Sequence, residues 1–291
     1  MAITASLVRE LREKTNVGMM DCKNALKETD GDLEAAVKLL REKGIAKAAK
    51  KADRAAKEGV VTSQLAEDGR SGVLLEINCE TDFVAKNDNF QSFVSDLASA
   101  VAASDATTLD EALAAKKGEE TVDEFVKTKV LEMGENLKVS NFSRLSIPEG
   151  TQGAVSSYIH MGGKVGVLTQ ITCEKAETLE SPAFQELIKD VNLHIAFSNP
   201  NGLTRDEIDG SLIEGEREVY AVQLRNEGKP EQIIDKIVEG KIAKFYSQIV
   251  LLEQSFVKDG DHTVESYIQL KAKELGDTIT LTGFSRFAIG A

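Results

Sequence analysis

The sequence predicts an α+β fold: a small amino-terminal bundle of three helices, two copies of a β-β-α subdomain with antiparallel sheets, and an inserted antiparallel helical hairpin. Three observations predict it. Residues 59–104 recur at 153–198 without a gap, at an offset of 94 residues that sets Cys79 against Cys173, Gly72 against Gly166 and Phe90 against Phe184. Residues 204–228 and 231–252 show helical periodicity on either side of Gly228-Lys229-Pro230. Three short helical patterns fill the first 44 or so residues.

In the amino-terminal part, Thr4 and Ser6 are candidate caps, and Leu7, Val8 and Leu11 follow at helical spacing. The first helix, read from residues 1–14, stops before Asn16-Val17-Gly18; it has no apolar signal-peptide core, and its glutamates argue against a transit peptide. A second helix spans 19–28, and a third spans 33–43 and closes at Gly44. Met19 and Met20 fill the small core or, as adaptable thioethers at one end of it, belong to a docking surface. The basic, alanine-rich run 43–57 reads as a solvated linker helix, with RNA binding the weaker alternative.

In the first repeat, strands at 60–65 and 72–78 flank a turn at 66–69. The helix 89–104 carries the stripe Phe90, Phe93, Val94, Leu97 and Val101, which must lie on that sheet. Helices at 109–116 and 121–132 and a strand at 137–147 follow. The second copy repeats the hairpin at 154–160 and 164–173 and the helix at 184–197, with Leu187, Ile188, Val191 and Ile195 inward. His194 beside that stripe reads as a satisfied structural histidine. His160, at a hairpin turn, is either merely solvated or a contact residue.

In the long hairpin, Ile208, Leu212, Val219 and Val222 are expected to face Ile233, Ile234, Ile237, Val238, Ile242 and Phe245. A final helix at 264–275 precedes a strand at 278–289 that completes the second sheet. The expected domains are 1–55; 56–148; 149–199 with 253–291; and 200–252.

A net charge of −13 argues against direct nucleic-acid binding by the body of the molecule, because phosphate contacts draw on clustered lysine and arginine. Cys22, Cys79 and Cys173 have no metal-like spacing and read as reduced core residues. No run of 18 apolar residues suggests a membrane span. A reducing compartment, most simply the cytoplasm, follows. No phosphate-binding glycine loop, nucleophile triad or histidine cluster is present, so neither a cofactor nor an enzyme is expected.

The two repeats part company at residues 81–89, where the second copy has 175–183 instead. A module that keeps its strands and helix without Thr81-Asp82-Phe83 does not need them to fold. In a connecting loop, Phe83 is either tucked under its own helix or offered to a partner.

The segment Ile77-Asn78-Cys79-Glu80-Thr81-Asp82-Phe83-Val84-Ala85-Lys86-Asn87 resembles the signature of the elongation factor Ts family, the guanine-nucleotide exchange factors of elongation factor Tu. A second signature, Gly18-Met19-Met20-Asp21-Cys22-Lys23-Asn24-Ala25-Leu26, is also present, and the similarity runs from Ala5 to Phe287. The resemblance implies elongation factor Tu as partner. It implies a loop of Thr81, Asp82, Phe83 and Val84 that wedges into the partner and disturbs its magnesium site. Leu11, Arg12, Met19, Met20 and Lys23 are implied to face the partner's nucleotide domain, with Met133, Gly134, His160, Val257 and Lys258 at or near it. It further implies a ubiquitin-associated-like (UBA-like) bundle and a coiled-coil arm suited to a homodimer, a 2:2 complex or a remote partner contact. Ser255 stands where proline is usual, which implies a more mobile loop. An adaptor that displaces no nucleotide is the rival reading.

Overall fold

The computed structural model describes residues 3–290; Met1 and Ala2, the start of the first expected helix, and Ala291 lie outside the described residues. Thr4 caps α1 (Ala5–Thr15) by accepting the Leu7 N–H, and the helix stops where Asn16 turns left-handed. Next come α2 (Met19–Glu28) and α3 (Leu33–Lys51), the latter capped by Asp32. The three enclose Leu11, Cys22, Leu26 and Leu40.

In the first repeat, β1 (Glu58–Leu65) and β2 (Ser71–Cys79) form an antiparallel hairpin. A single helical turn, α4 (Asp82–Ala85), follows, then α5 (Asp88–Ala102), which buries the expected stripe from Phe90 to Val101. Thus the segment after β2, expected as a loop, is helical: Thr81 is extended and its hydroxyl caps the turn. After α6 (Leu109–Ala114) come two short strands that the sequence reading missed, β3 (Lys116–Lys117) and β4 (Glu120–Thr121). A capping box between Thr121 and Glu124 starts α7 (Val122–Met133), and left-handed Gly134 ends it. β5 (Lys138–Ser146) completes a sheet of order β1-β2-β5.

Two expectations about α3 are corrected. It runs on to Lys51 because Gly44 is not a stop: its φ is not positive, and it lies where α3 meets α7. A Cβ there would sit 3.5 Å from the Leu131 Cβ and from the Lys127 carbonyl oxygen. Nor is the basic run a free linker, since Ala48 enters the first-repeat core and Lys47 pairs with Asp21 at 3.0 Å.

The second repeat provides β6 (Gln152–His160), β7 (Val165–Cys173), a short α8 (Ala176–Leu179) and α9 (Pro182–Ser198). Then come α10 (Gly210–Asn226) and α11 (Glu231–Ile249), packed on one another. The chain finishes with β8 (Ser255–Phe256), β9 (Asp259–Thr263), α12 (Val264–Leu275) and β10 (Ile279–Ala288), giving a second antiparallel sheet of order β10-β7-β6.

The duplication is longer than the ungapped repeat. Capping Thr121, left-handed Gly134 and Arg144 recur as Thr263, Gly276 and Arg286, an offset of 142 residues, because the helical arm is inserted between the halves of the second copy. Arg144 donates to carbonyls at the end of α5, and Arg286 to one at the end of α9. The two repeats meet through reciprocal bonds, Val61 N–H to the Gly163 carbonyl at 2.7 Å and Val155 N–H to the Gly69 carbonyl at 2.8 Å. A Cβ on Gly166 would fall 2.3 Å from a Val61 methyl, so this interface requires glycine.

The arm departs from expectation. Helical structure is not continuous from residue 204: a 3₁₀ turn (Arg205–Glu207) gives way to extended Ile208, and Asp209 caps a new helix. That restart shifts the covered face of α10, so Ile213 and Leu224 are buried while Leu212, Val219 and Val222 are exposed; Ile208, Ile234, Ile237, Val238, Ile242 and Phe245 pack inward as expected, and Ile233 is exposed.

The histidine expectation agrees with the structure. His194 is buried, its Nε2 2.9 Å from Gln254 Oε1 and its Nδ1 accepting the Val257 N–H at 3.2 Å. Burial pushes its pKa below the ordinary 6.5. The unfolded chain therefore takes up this proton first, so stability from neutral His194 is complete above about pH 6.5 and is lost as pH falls below it. The wild-type unfolding free energy should drop between pH 7 and pH 5.5 more steeply than that of His194→Gln, by up to about 1.4 kcal/mol per pH unit. Equal slopes would refute the assignment.

Candidate protein-docking site

The open question about Phe83 has a structural answer: the ring is 84% exposed. It stands on α4 beyond the end of β2, a central strand buried along nearly its whole length. Ala85 is buried, Val84 packs against the first-repeat core, and Gln91 donates to the Ala85 carbonyl at 2.6 Å. The turn is thus anchored on one side and bare on the other. Asp82, beside Phe83, pairs with Lys86 at 2.7 Å, and this hydrogen bond holds its carboxyl below the usual range. The tip presents an ionised carboxylate and an aromatic ring side by side.

At the foot of the tip lies a cleft of about 220 Å³ lined by Val84, Asn87, Asn89, Glu132, Met133 and, from the bundle, Asn16. The structure so brings the α1–α2 turn, the tip and the end of α7 to one place. Arg12, Met19, Met20 and Lys23 are exposed on the bundle, Met20 at 66%. Leu11 is a correction: it is wholly buried among the three helices, so its side chain cannot face a partner. Met133 is half-buried and Gly134 exposed.

His160, Val257 and Lys258 gather elsewhere, around a groove of about 410 Å³ on the second repeat. Tyr158, Leu193, Ala196 and Phe197 complete its lining. Tyr158 Oη lies 2.8 Å from His160 Nδ1. Ser255 sits in β8, its hydroxyl donating to the Gly260 carbonyl at 3.2 Å. Sequence reasoning missed Phe197, which is 80% exposed at the end of α9; its place off the Leu187-Ile188-Val191-Ile195 stripe was the available signal.

The thiols offer no reactive centre among the described residues: Cys22, Cys79 and Cys173 are all free and buried. Burial, helped by the charge of Glu135, pushes the Cys79 thiol up to about 12. No group of three or more His, Cys, Asp or Glu side chains among the described residues is placed to hold a metal ion. No described helix is long and apolar enough to cross a membrane.

A duplicated α+β scaffold that exposes apolar groups on a helical tip, a bundle turn, a groove and the arm has the surface of a protein-docking scaffold. Comparison with known proteins makes this specific. The family model described as Elongation factor TS matches residues 80–291. Elongation factor Ts of Trichlorobacter lovleyi is 47% identical over 293 residues, covering 100% of this chain and 93% of that protein. Elongation factor Ts of Clostridium botulinum (strain Eklund 17B) is 47% identical over 289 residues, and that of Clostridium kluyveri (strain ATCC 8527) is 44% identical over 291, each covering 99% of this chain and 93% of the relative. The chain belongs to the elongation factor Ts family.

Proposed function

We propose that this protein is a guanine-nucleotide exchange factor that binds elongation factor Tu carrying GDP and promotes release of the GDP during translation elongation in the cytoplasm. The observation that carries the reading is the exposed Phe83 on a helical turn whose counterpart in the other repeat, α8, bears no aromatic residue. Phe83 enters an apolar crevice of the partner, and Asp82 with the adjoining backbone of Thr81 and Val84 disturbs hydrogen bonds around the partner's magnesium ion. Magnesium demands a near-ideal octahedron of ligands and leaves when they shift.

Arg12, Met19, Met20 and Lys23 hold the same nucleotide domain, with Met133 in the cleft between bundle and tip and Gly134 next to it in the chain. His160, Val257 and Lys258 form a second contact on the far repeat. In this reading residues 1–55 form a UBA-like domain, 56–148 and 149–199 with 253–291 the two subdomains, and 200–252 a coiled-coil arm whose exposed Leu212, Val219, Val222 and Ile233 suit a homodimer or a 2:2 complex. Nucleotide release is a binding problem that requires no covalent step and no cofactor on this chain. Linkage sets a bound: the factor weakens GDP only as much as GDP weakens the factor.

The test is a fluorescent GDP analogue preloaded on elongation factor Tu and chased with unlabelled GDP. Catalytic amounts of this protein should accelerate the loss of fluorescence. A release rate that stays at its spontaneous value would leave only the adaptor reading.

A further inference from the structure

The base of the Phe83 tip is tied down by one carboxylate. Glu135 Oε2 accepts the backbone N–H groups of Glu80 and Thr81, both at 3.0 Å, and its Oε1 accepts the Thr81 hydroxyl at 2.6 Å. Thr81 in turn caps α4, its Oγ accepting the Val84 N–H at 3.3 Å. The hold is reciprocal, because Glu80 Oε1 accepts the Asn136 N–H at 2.7 Å. Asn136 Nδ2 reaches the carbonyls of Ala52 at 3.3 Å and Arg54 at 2.9 Å, and the Lys51 ammonium donates to the Gly134 carbonyl. The end of α3, arriving from the bundle, is thereby knotted to the residue that starts the tip.

The second repeat carries a matching carboxylate and a matching turn, α8, which has Glu177 where Phe83 stands and no side-chain cap. Asp277 accepts the N–H groups of Glu174 at 3.1 Å and Lys175 at 3.2 Å, and the Thr178 hydroxyl at 2.5 Å. There α8 ends in Leu179, packed against the core, and exposes no aromatic ring. The clamp belongs to the duplicated scaffold, and only in the first repeat does it bear Phe83.

We propose that Glu135 is a positioning residue for nucleotide exchange: it fixes Thr81, and through that cap the α4 turn, in the orientation that presents Asp82 and Phe83. The inference rests on the tip reading above. A four-residue helix cannot sustain itself in water, so its direction is set by its cap and its anchor. Charge-assisted hydrogen bonds to one carboxylate are the strong kind, and glutamine offers one acceptor oxygen in place of two while turning an amide toward donors. A tip released from the clamp would hold its docking orientation for only a fraction of the time even while the bundle and the second repeat keep the partner bound, so the saturated rate of exchange falls by that fraction.

The experiment compares Glu135→Gln, Glu135→Asp, Asp277→Asn and Phe83→Ala, alone and with Phe83→Ala combined with Glu135→Gln, in the fluorescent GDP assay. Glu135→Gln should lower release at saturating factor roughly tenfold while the half-saturating concentration moves less than about threefold. Glu135→Asp, the residue the second repeat uses, should fold and recover most of the rate. Asp277→Asn should leave the rate within about twofold of wild type. On a Phe83→Ala background, Glu135→Gln should add less than about twofold, because both act through one tip. Equal losses with and without Phe83 would overturn the proposal, as would full activity of Glu135→Gln.

Amide hydrogen exchange separates this idea from the reading beneath it. Glu135→Gln should speed exchange at the Glu80, Thr81 and Val84 amides. Unchanged protection there sinks the clamp whatever the activity, whereas faster amide exchange with a fully active Phe83→Ala sinks the wedge. If Glu135→Gln fails to fold, the same readings are taken on Glu135→Asp, whose shorter reach should give a smaller loss of rate that vanishes without Phe83; a loss that persists without Phe83 refutes the proposal.

Discussion

Replacing Phe83 by alanine is expected to leave the protein as stable as wild type and to slow factor-promoted GDP release at least tenfold, a loss of about 1.4 kcal/mol or more. The ring is 84% exposed, so truncating it removes little packing, and substitutions at such positions usually stay within about 0.5 kcal/mol of wild type. In a complex the same ring becomes a buried aromatic anchor, the kind of group whose removal costs about 2 kcal/mol or more. Unfolding midpoints and GDP-release traces on one preparation decide the matter. Undiminished exchange would remove the wedge mechanism, and a large drop in stability would mean that the ring is covered in solution.

Phe93→Ala should do the reverse. Its ring is 1% exposed, with Phe90 at 5.9 Å and Phe125 at 5.2 Å between centroids, in the core that α5 makes with the first sheet and α7. Deleting it leaves a cavity among groups that cannot collapse freely, at about 3–5 kcal/mol. That is a large share of the roughly 5–15 kcal/mol that holds an ordinary domain together. The midpoint of denaturant unfolding should fall at constant slope, and the fraction still folded should exchange nucleotide normally. A loss below about 1 kcal/mol would contradict the packing described.

These two phenylalanines show how far the residues can be read unaided. The bounds of α2 and α12, the hairpins and the α5 stripe were legible because capping residues and the 3.6 and 2 residue periods act over one or two turns of chain. The continuation of α3 through Gly44 was not, since it depends on Leu131 and Lys127 approaching from α7. The inward face of α10 was misread at Leu212, Val219 and Val222 because Asp209 restarts the helix out of phase with residues 204–208. Leu11 was placed outward by resemblance, yet three helices close over it. The Glu135 clamp went unseen because the inserted arm changes the repeat offset from 94 to 142 and hides the match with Asp277.

Sequence alone determined the main helices and strands, their order, the duplication and the segment in which the two copies differ. Tertiary structure decided which of several chemically alike groups face water: Phe83 out and Phe93 in, Met20 out and Leu11 in, Phe197 bare at the end of a helix whose other apolar face is covered. Periodicity records what a residue's near neighbours in the chain require, but burial is settled by whatever packs against it from a distance.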